Sequence, residues 1–229
     1  MDNSDENPGD DDGRLQVLSL LKFNRALAGY DRTHNLEIYH VWDLPFGTGQ
    51  RWLAGGGVLS KVAGGWQLSG LASFITGSPF TVYSSGSGFD TPGSNQTADQ
   101  VKAHVSKLGS VDPGLPFYDP LAFGDVNAAR LGTSGFNILR GPGIANYDFG
   151  VYRRFKLSER YNLEFRMESF NFTNTPHFDL PDNFVSDGLP AGFPGGSSDG
   201  SFMTVTGTIN LAREGLDQRQ FEFALRLFF

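Results

Sequence analysis

The chain contains no cysteine, so neither a disulfide framework nor a thiolate metal site can hold it together. That fits a bacterial envelope protein, and it fits a cytoplasmic chain equally well. There is no basic surplus either: the formal net charge is −7 at pH 7, which leaves no patch to neutralise phosphates and excludes nucleic acid as a partner. No helical membrane span is credible. The charge-free stretch Val62 to Phe89 is long enough, but Gly64, Gly65, Gly70, Gly77 and Pro79 interrupt it. Strand and turn tolerate such residues, whereas a lipid-facing helix does not. The opening Met1-Asp2-Asn3-Ser4-Asp5-Glu6 does not read as a secretory leader, being acidic where a leader needs a basic start and an apolar core.

What is present is 30 Gly, 12 Pro and 14 % aromatic residues, a mixture suited to strands and turns. The clearest strand is Gln218 to Phe229. Phe221, Phe223, Leu225, Leu227 and Phe229 form one apolar row at period two, and Gln220, Glu222, Ala224 and Arg226 form the other. A tilted strand needs about 9–11 residues to cross a bilayer, and this run has that length. A soluble sheet edge could alternate in the same way, but an apolar Phe228-Phe229 terminus would fray into water. The pattern predicts a closing strand of an outer-membrane barrel.

Four further strands are expected. The first covers 33–44, with Leu36, Ile38, His40, Trp42 and Leu44 on one face. The others cover 65–83, 145–157 and 161–173, the last with Leu163, Phe165 and Met167 opposite Asn162, Glu164, Arg166 and Glu168. Together they predict an all-β antiparallel meander of about 5–6 transmembrane strands. Residues 1–29 read as an acidic, disordered tail in which Leu15 to Phe23 is a strand or a brief helix. Residues 30–229 read as the barrel segment. Two long connections, 84–144 and 174–217, read as extracellular loops, with Phe202 to Ile209 pairing locally. From the carboxy terminus the connections run long, short, long, moderately short. Barrels place long loops outside and short turns in the periplasm, and a sandwich has no reason to keep that parity.

Catalytic patterns are weak. Gly196-Ser197-Ser198-Asp199-Gly200 matches G-x-S-x-G but sits in a Gly-Ser-Pro loop without the strand and helix of a nucleophile elbow. His34, His40, His104 and His177 are scattered, without metal-ligand spacing. Asp10-Asp11-Asp12-Gly13 lacks the alternation and distal Glu of a calcium loop. Gly55-Gly56-Gly57 lacks the Lys of a phosphate cradle. Glu164, Arg166 and Glu168, with Glu222 and Arg226, read as lumen-facing charges paired across the sheet, with Arg153 or Arg154 among their counter-ions. The expectation is no enzyme, no cofactor and no metal.

Three stretches resemble the carboxy-terminal barrel part of Oar-like TonB-dependent receptors. The first is Tyr30-Asp31-Arg32-Thr33-His34-Asn35 with Asp43-Leu44-Pro45-Phe46-Gly47, Gly65-Trp66-Gln67-Leu68-Ser69-Gly70 and Gly77-Ser78-Pro79-Phe80-Thr81. The second is Leu139-Arg140-Gly141-Pro142-Gly143 with Phe165-Arg166-Met167-Glu168-Ser169-Phe170-Asn171 and Asn174. The third is Arg219-Gln220-Phe221. The resemblance implies a barrel of about twenty-two strands with an amino-terminal plug, energised through TonB.

The chain is accordingly expected to be the carboxy-terminal piece of a longer receptor in the Gram-negative outer membrane, not competent for transport alone. Its expected partners are outer-membrane lipid, the barrel-insertion machinery and, through the plug only, the TonB complex. The rival readings are a surface adhesion or structural module and a soluble carbohydrate-binding β-sandwich. The resemblance further implies that Phe221, Phe223, Leu227 and Phe229 form the barrel-assembly signal. Lipid burial of one ring is worth about 1.5–3 kcal/mol, a modest loss for a barrel. Deleting Phe229 from a full-length receptor with this carboxy terminus should therefore reduce the inserted amount far more than the melting temperature of what inserts. Normal insertion with reduced thermal stability would leave these side chains as lipid contacts only.

Overall fold

The computed structural model describes residues 25–84, 96–128, 130–209 and 217–229. The acidic tail up to residue 24, with its Leu15 to Phe23 run, lies outside the described residues. In chain order the elements are β1 (Asn35–Asp43), α1 (Val58–Ala63), β2 (Trp66–Ile75), β3 (Pro79–Phe80), β4 (Asp99–Gln100), β5 (Phe123–Gly124), β6 (Leu139–Arg140), β7 (Ile144–Lys156), β8 (Asn162–Phe170) and β9 (Gln220–Phe228). The chain divides into two compact units, 76–143 and 178–209 with the residues before 34 in one, and 34–75, 144–177 and 210–229 in the other.

The second unit is a five-stranded antiparallel sheet in the order β1-β2-β7-β8-β9. The long strands pair in sequence order, which makes the expected meander. Pairing puts opposite residues on one face, so the register can be read as two surfaces. Leu163 faces Leu227, Phe165 faces Leu225 and Met167 faces Phe223, while Glu164 faces Arg226 and Glu168 faces Glu222. Following β7 and β2 across to β1, the same apolar surface gathers Phe155, Val151, Phe149, Leu68, Phe74, Trp42 and Ile38. β-branched and aromatic side chains suit that pleated surface, and alternation keeps the ionic groups off it apart from Arg153.

Two strand ends differ from the expected ones. The 65–83 strand stops at Ile75, because the backbone at Gly77 packs against the Gly141 carbonyl with no room for a Cβ. Pro79–Phe80 then pairs instead with Leu139–Arg140. The 161–173 strand stops at Phe170, where Asn171 adopts φ 48°, a left-handed conformation that Asn tolerates better than most residues.

The first unit holds the buried core. Residues from the two long connections supply it: Val82, Ala98, Phe117, Phe123, Phe202 and Met203 are among its members. The described residues of the 84–144 connection are thus folded. Their cross-links come from far along the chain, as in Phe117 N–H to Met203 O at 2.7 Å, Asn183 Nδ2 to Thr81 O at 2.7 Å, and the Thr81–Asn137 side-chain bond at 3.2 Å. The stretch from Phe202 pairs within its own connection, as expected: Thr208 bridges Phe178, and Met203 N–H meets the Asp182 carbonyl at 2.8 Å, while Thr204 also bridges Pro116 of the other connection. Phe202 is fully buried. Phe202→Ala should therefore cost this unit about 3–5 kcal/mol. Limited proteolysis should show cuts in 96–143 and 178–209 at lower denaturant, with the sheet unchanged; an unaltered cleavage pattern would mean that the ring does not hold the unit.

Candidate functional site

The polar surface of the sheet carries the ionic side chains. Arg154 donates to Glu164 Oε2 at 2.8 Å, and Arg166 donates to Glu168 Oε1 at 2.8 Å. The Tyr152 hydroxyl also donates to Glu168 Oε1 at 2.8 Å, and the Arg166 guanidinium lies 5.1 Å from the Tyr152 ring. Tyr152 reaches Glu168 by crossing Gly150, where a Cβ would stand 2.7 Å from the phenol oxygen. The result is a shallow depression of about 160 Å³ lined by Tyr39, Ser69, Asp148, Tyr152 and Glu168 among others. Such exposed pairs contribute only about 0–1 kcal/mol each. Their effect is to present alternating charge to whatever this face meets.

The register brings Glu164, Arg166, Glu168, Glu222 and Arg226 to one face. Arg153 is not among their counter-ions. It lies on the apolar face opposite Trp66 and Phe165, because odd and even positions of a strand point to opposite sides. Phe221, Phe223 and Leu227 lie on the apolar face, where Phe223 is 67 % exposed, and Phe229 follows β9 with 95 % of its surface exposed. His34 precedes β1 and His40 sits within it on the apolar face, stacked near Tyr147. Among the described residues no group of His, Asp and Glu is placed to hold a metal ion.

Two polar knots were not legible as such. In the sheet unit, Asp148 Oδ1 accepts the Asn171 N–H at 2.9 Å; the Asn171 side chain in turn accepts the Thr175 N–H and donates to the Thr175 and Asp217 carbonyls. Asp217 accepts the His177 N–H at 2.7 Å and meets His177 Nδ1 at 2.5 Å, with the imidazole almost fully buried. The knot ties the two ends of the 174–217 connection together, with Asn171 and Asn174 both at positive φ.

The second knot lies in the loop unit, where Arg140 binds the Asp31 carboxylate and the carbonyls of Asp31 and Gly77. Two of the three stretches that carried the resemblance meet at this one guanidinium. Nearby in kind, Arg130 grips Asp99 with two bonds of 2.7 and 2.5 Å, which holds the Asp99 carboxyl below its ordinary value.

An antiparallel, two-faced sheet of bilayer-spanning strands, with paired charge on one side and bare aromatic and aliphatic rows on the other, defines an outer-membrane β-barrel protein. Residues 1–221 match the family described as outer membrane beta barrel domain, and the chain belongs to that family, which places it in the outer membrane of a Gram-negative bacterium. No curated protein and no solved structure matches the chain.

In the loop unit, partial burial together with a carboxyl–carboxyl hydrogen bond to Asp182 pushes Asp187 up to about 6 from the ordinary 3.8. Asp182 is itself fixed by Ser201 at 2.6 Å and by the Thr204 carbonyl at 2.9 Å. A carboxyl with a raised value holds its proton longer folded than unfolded. The stability it contributes is therefore complete below the ordinary value and is lost as pH rises through the folded one. The loop unit should resist heat and protease better at about pH 4 than at about pH 7, and Asp187→Asn should flatten that difference. An equally steep pH profile in the variant would remove this pair as its origin.

Proposed function

We propose that the chain is the carboxy-terminal barrel segment of an Oar-like TonB-dependent outer-membrane receptor, without catalytic role and not competent for transport alone. The observation that carries the reading is the two-faced sheet itself, left open at β1 and β9 among the described residues. An edge in hydrocarbon strands unpaired N–H and C=O groups at several kcal/mol each, so further strands of a larger barrel must cover both edges. In this reading Glu164, Arg166, Glu168, Glu222 and Arg226 line the lumen against the plug. The long connections are extracellular, and TonB acts only through the plug. The barrel-insertion machinery reads the β9 end at Phe221, Phe223, Leu227 and Phe229. The resemblance around Arg140 and Asp31 supports the family assignment, whereas the geometry supports only the faces.

The folded core of the loop unit favours a second reading, in which the loops act as a surface adhesion module on an outer-membrane base. Membership of the barrel family sets the soluble sandwich aside. A photo-crosslinking residue at Glu168, in the outer membrane of cells making the complete protein, separates the two remaining readings. A crosslink to an amino-terminal plug of the same chain supports the receptor; no plug crosslink leaves the adhesion module. The face assignment has its own test. Leu225→Arg should lower unfolding stability in vesicles by about 2–4 kcal/mol, and Glu222→Arg on the same strand by about 1 kcal/mol or less. Equal losses would overturn the assignment of lumen and lipid.

A further inference from the structure

The connection between β1 and β2 is no tight turn. Residues 44–65 fold back on themselves, with Gly47 N–H on Trp52 O at 2.9 Å and Trp52 N–H on Pro45 O at 3.1 Å. α1 closes over this loop: a Cβ at Gly64 would stand 2.9 Å from the Gly47 Cα, so the two glycines allow backbone-to-backbone contact. Within α1 only Ser60 is buried, and its hydroxyl lies 3.3 Å from that of Thr48. Val58, Leu59 and Val62 point away and are 80 %, 65 % and 60 % exposed. At 3.6 residues per turn these three share one side, and Lys61 falls outside their arc. A helix of this length is unstable in water unless its apolar side is supported.

Its position says what supports it. Arg153 is the one Lys or Arg on the apolar rows of the sheet, where an ionic group is costly. Its guanidinium reaches toward the strand end and donates to the carbonyls of Lys61 and Val62, lying over the rings of Trp66 at 5.1 Å and Phe155 at 4.2 Å. Trp66 Nε1 donates to the same Val62 carbonyl at 3.0 Å. The last carbonyls of α1, which a helix leaves without internal N–H donors, are thus held by two side chains of the apolar face. α1 therefore sits on that side of the sheet, at the end where the tight turn 157–161 joins β7 to β8. All 3 tryptophans of the chain are here: Trp42 on the apolar face near the end of β1, Trp52 in the connection and Trp66 opening β2. Tryptophan gathers at the membrane–water boundary, and long cationic side chains snorkel to it. Arg51, its guanidinium 5.5 Å from the Trp52 ring, and Lys61 add positive charge that suits anionic phospholipid headgroups.

We propose that the β1–β2 connection is a membrane-interface anchor, with Val58, Leu59 and Val62 of α1 lying in the headgroup–acyl boundary of the periplasmic leaflet, continuous with the lipid-facing rows of the sheet. This rests on the assignment of the apolar face to lipid. The anchor fixes the depth of the sheet at its short-turn end, and Arg153 and Trp66 couple helix to strand.

Because the chain has no native cysteine, single cysteines give unambiguous labels. Leu59→Cys and, independently, Val58→Cys carry an environment-sensitive bimane in the intact protein folded into phosphatidylethanolamine–phosphatidylglycerol vesicles. Glu159→Cys in the tight turn is the aqueous control and Leu225→Cys the mid-strand lipid control. Labels on α1 should be quenched by lipids brominated near the headgroup more than by lipids brominated near the bilayer centre, and should be about threefold less accessible to aqueous iodide than the label at residue 159. Iodide accessibility equal to that of the Glu159→Cys label, with the Leu225→Cys label still quenched by brominated lipid, overturns the anchor and leaves α1 to another protein. If the Leu225→Cys label is also aqueous, the face assignment has failed, and the anchor with it.

Discussion

Everything in the sheet follows from one constraint, the absence of water inside the bilayer to satisfy backbone N–H and C=O groups. Strands must then pair along their whole length, and pairing imposes a common register. Opposite β7, β8 presents Leu163 and Phe165 to Phe155 and Arg153 on one side, and Glu164 and Arg166 to Arg154 and Tyr152 on the other. A slip of one residue would interchange these rows. The cost of moving several ionic groups into hydrocarbon, about 2–4 kcal/mol each near the midplane, far exceeds any gain from an alternative ladder. Register in this chain is therefore set by the solvent on either side of the sheet more than by the turns.

The loop unit obeys the opposite rule. Its stability comes from apolar burial, in a core assembled from Phe117, Phe123, Phe202, Met203 and their neighbours. Glycine and proline let the backbone fold tightly around these residues. Hydrogen bonds such as Arg140 to Gly77 and Gly141 N–H to Ser78 O tie the entry and exit of the first long connection into a short ladder. Loops built this way hold a defined surface, whereas long connections without a core would sample many.

The two solvents also explain what could be read from the residues. Period-two rows announced all five long strands and the partition of Glu164, Arg166 and Glu168 from Leu163, Phe165 and Met167. A single strand suffices for that signal. Strand ends were less legible, since Ile75 is the last residue of β2 only because Gly77 meets Gly141, some sixty positions away. The loop core was invisible for the same reason: Phe117 and Met203 lie far apart, at no fixed spacing, and no local pattern links them. Arg153 was misplaced among the carboxylate counter-ions by type, although its odd position on β7 already set it beside Phe155. α1 left almost no trace, as six residues after a glycine run carry too little periodicity to register.

The polar face bears on where selectivity resides. Two of its ion pairs are close, Arg154 with Glu164 and Arg166 with Glu168, while Glu168 also faces Glu222 across the ladder. Paired charges of opposite sign cancel beyond a few ångströms, so these two pairs contribute little net field. A passage selective by charge needs a ring of one sign, as in pores that discriminate ions. A wall of this kind suits a polar protein surface packed against it, which can meet each donor and acceptor in turn. The sheet supplies depth and register to the barrel wall.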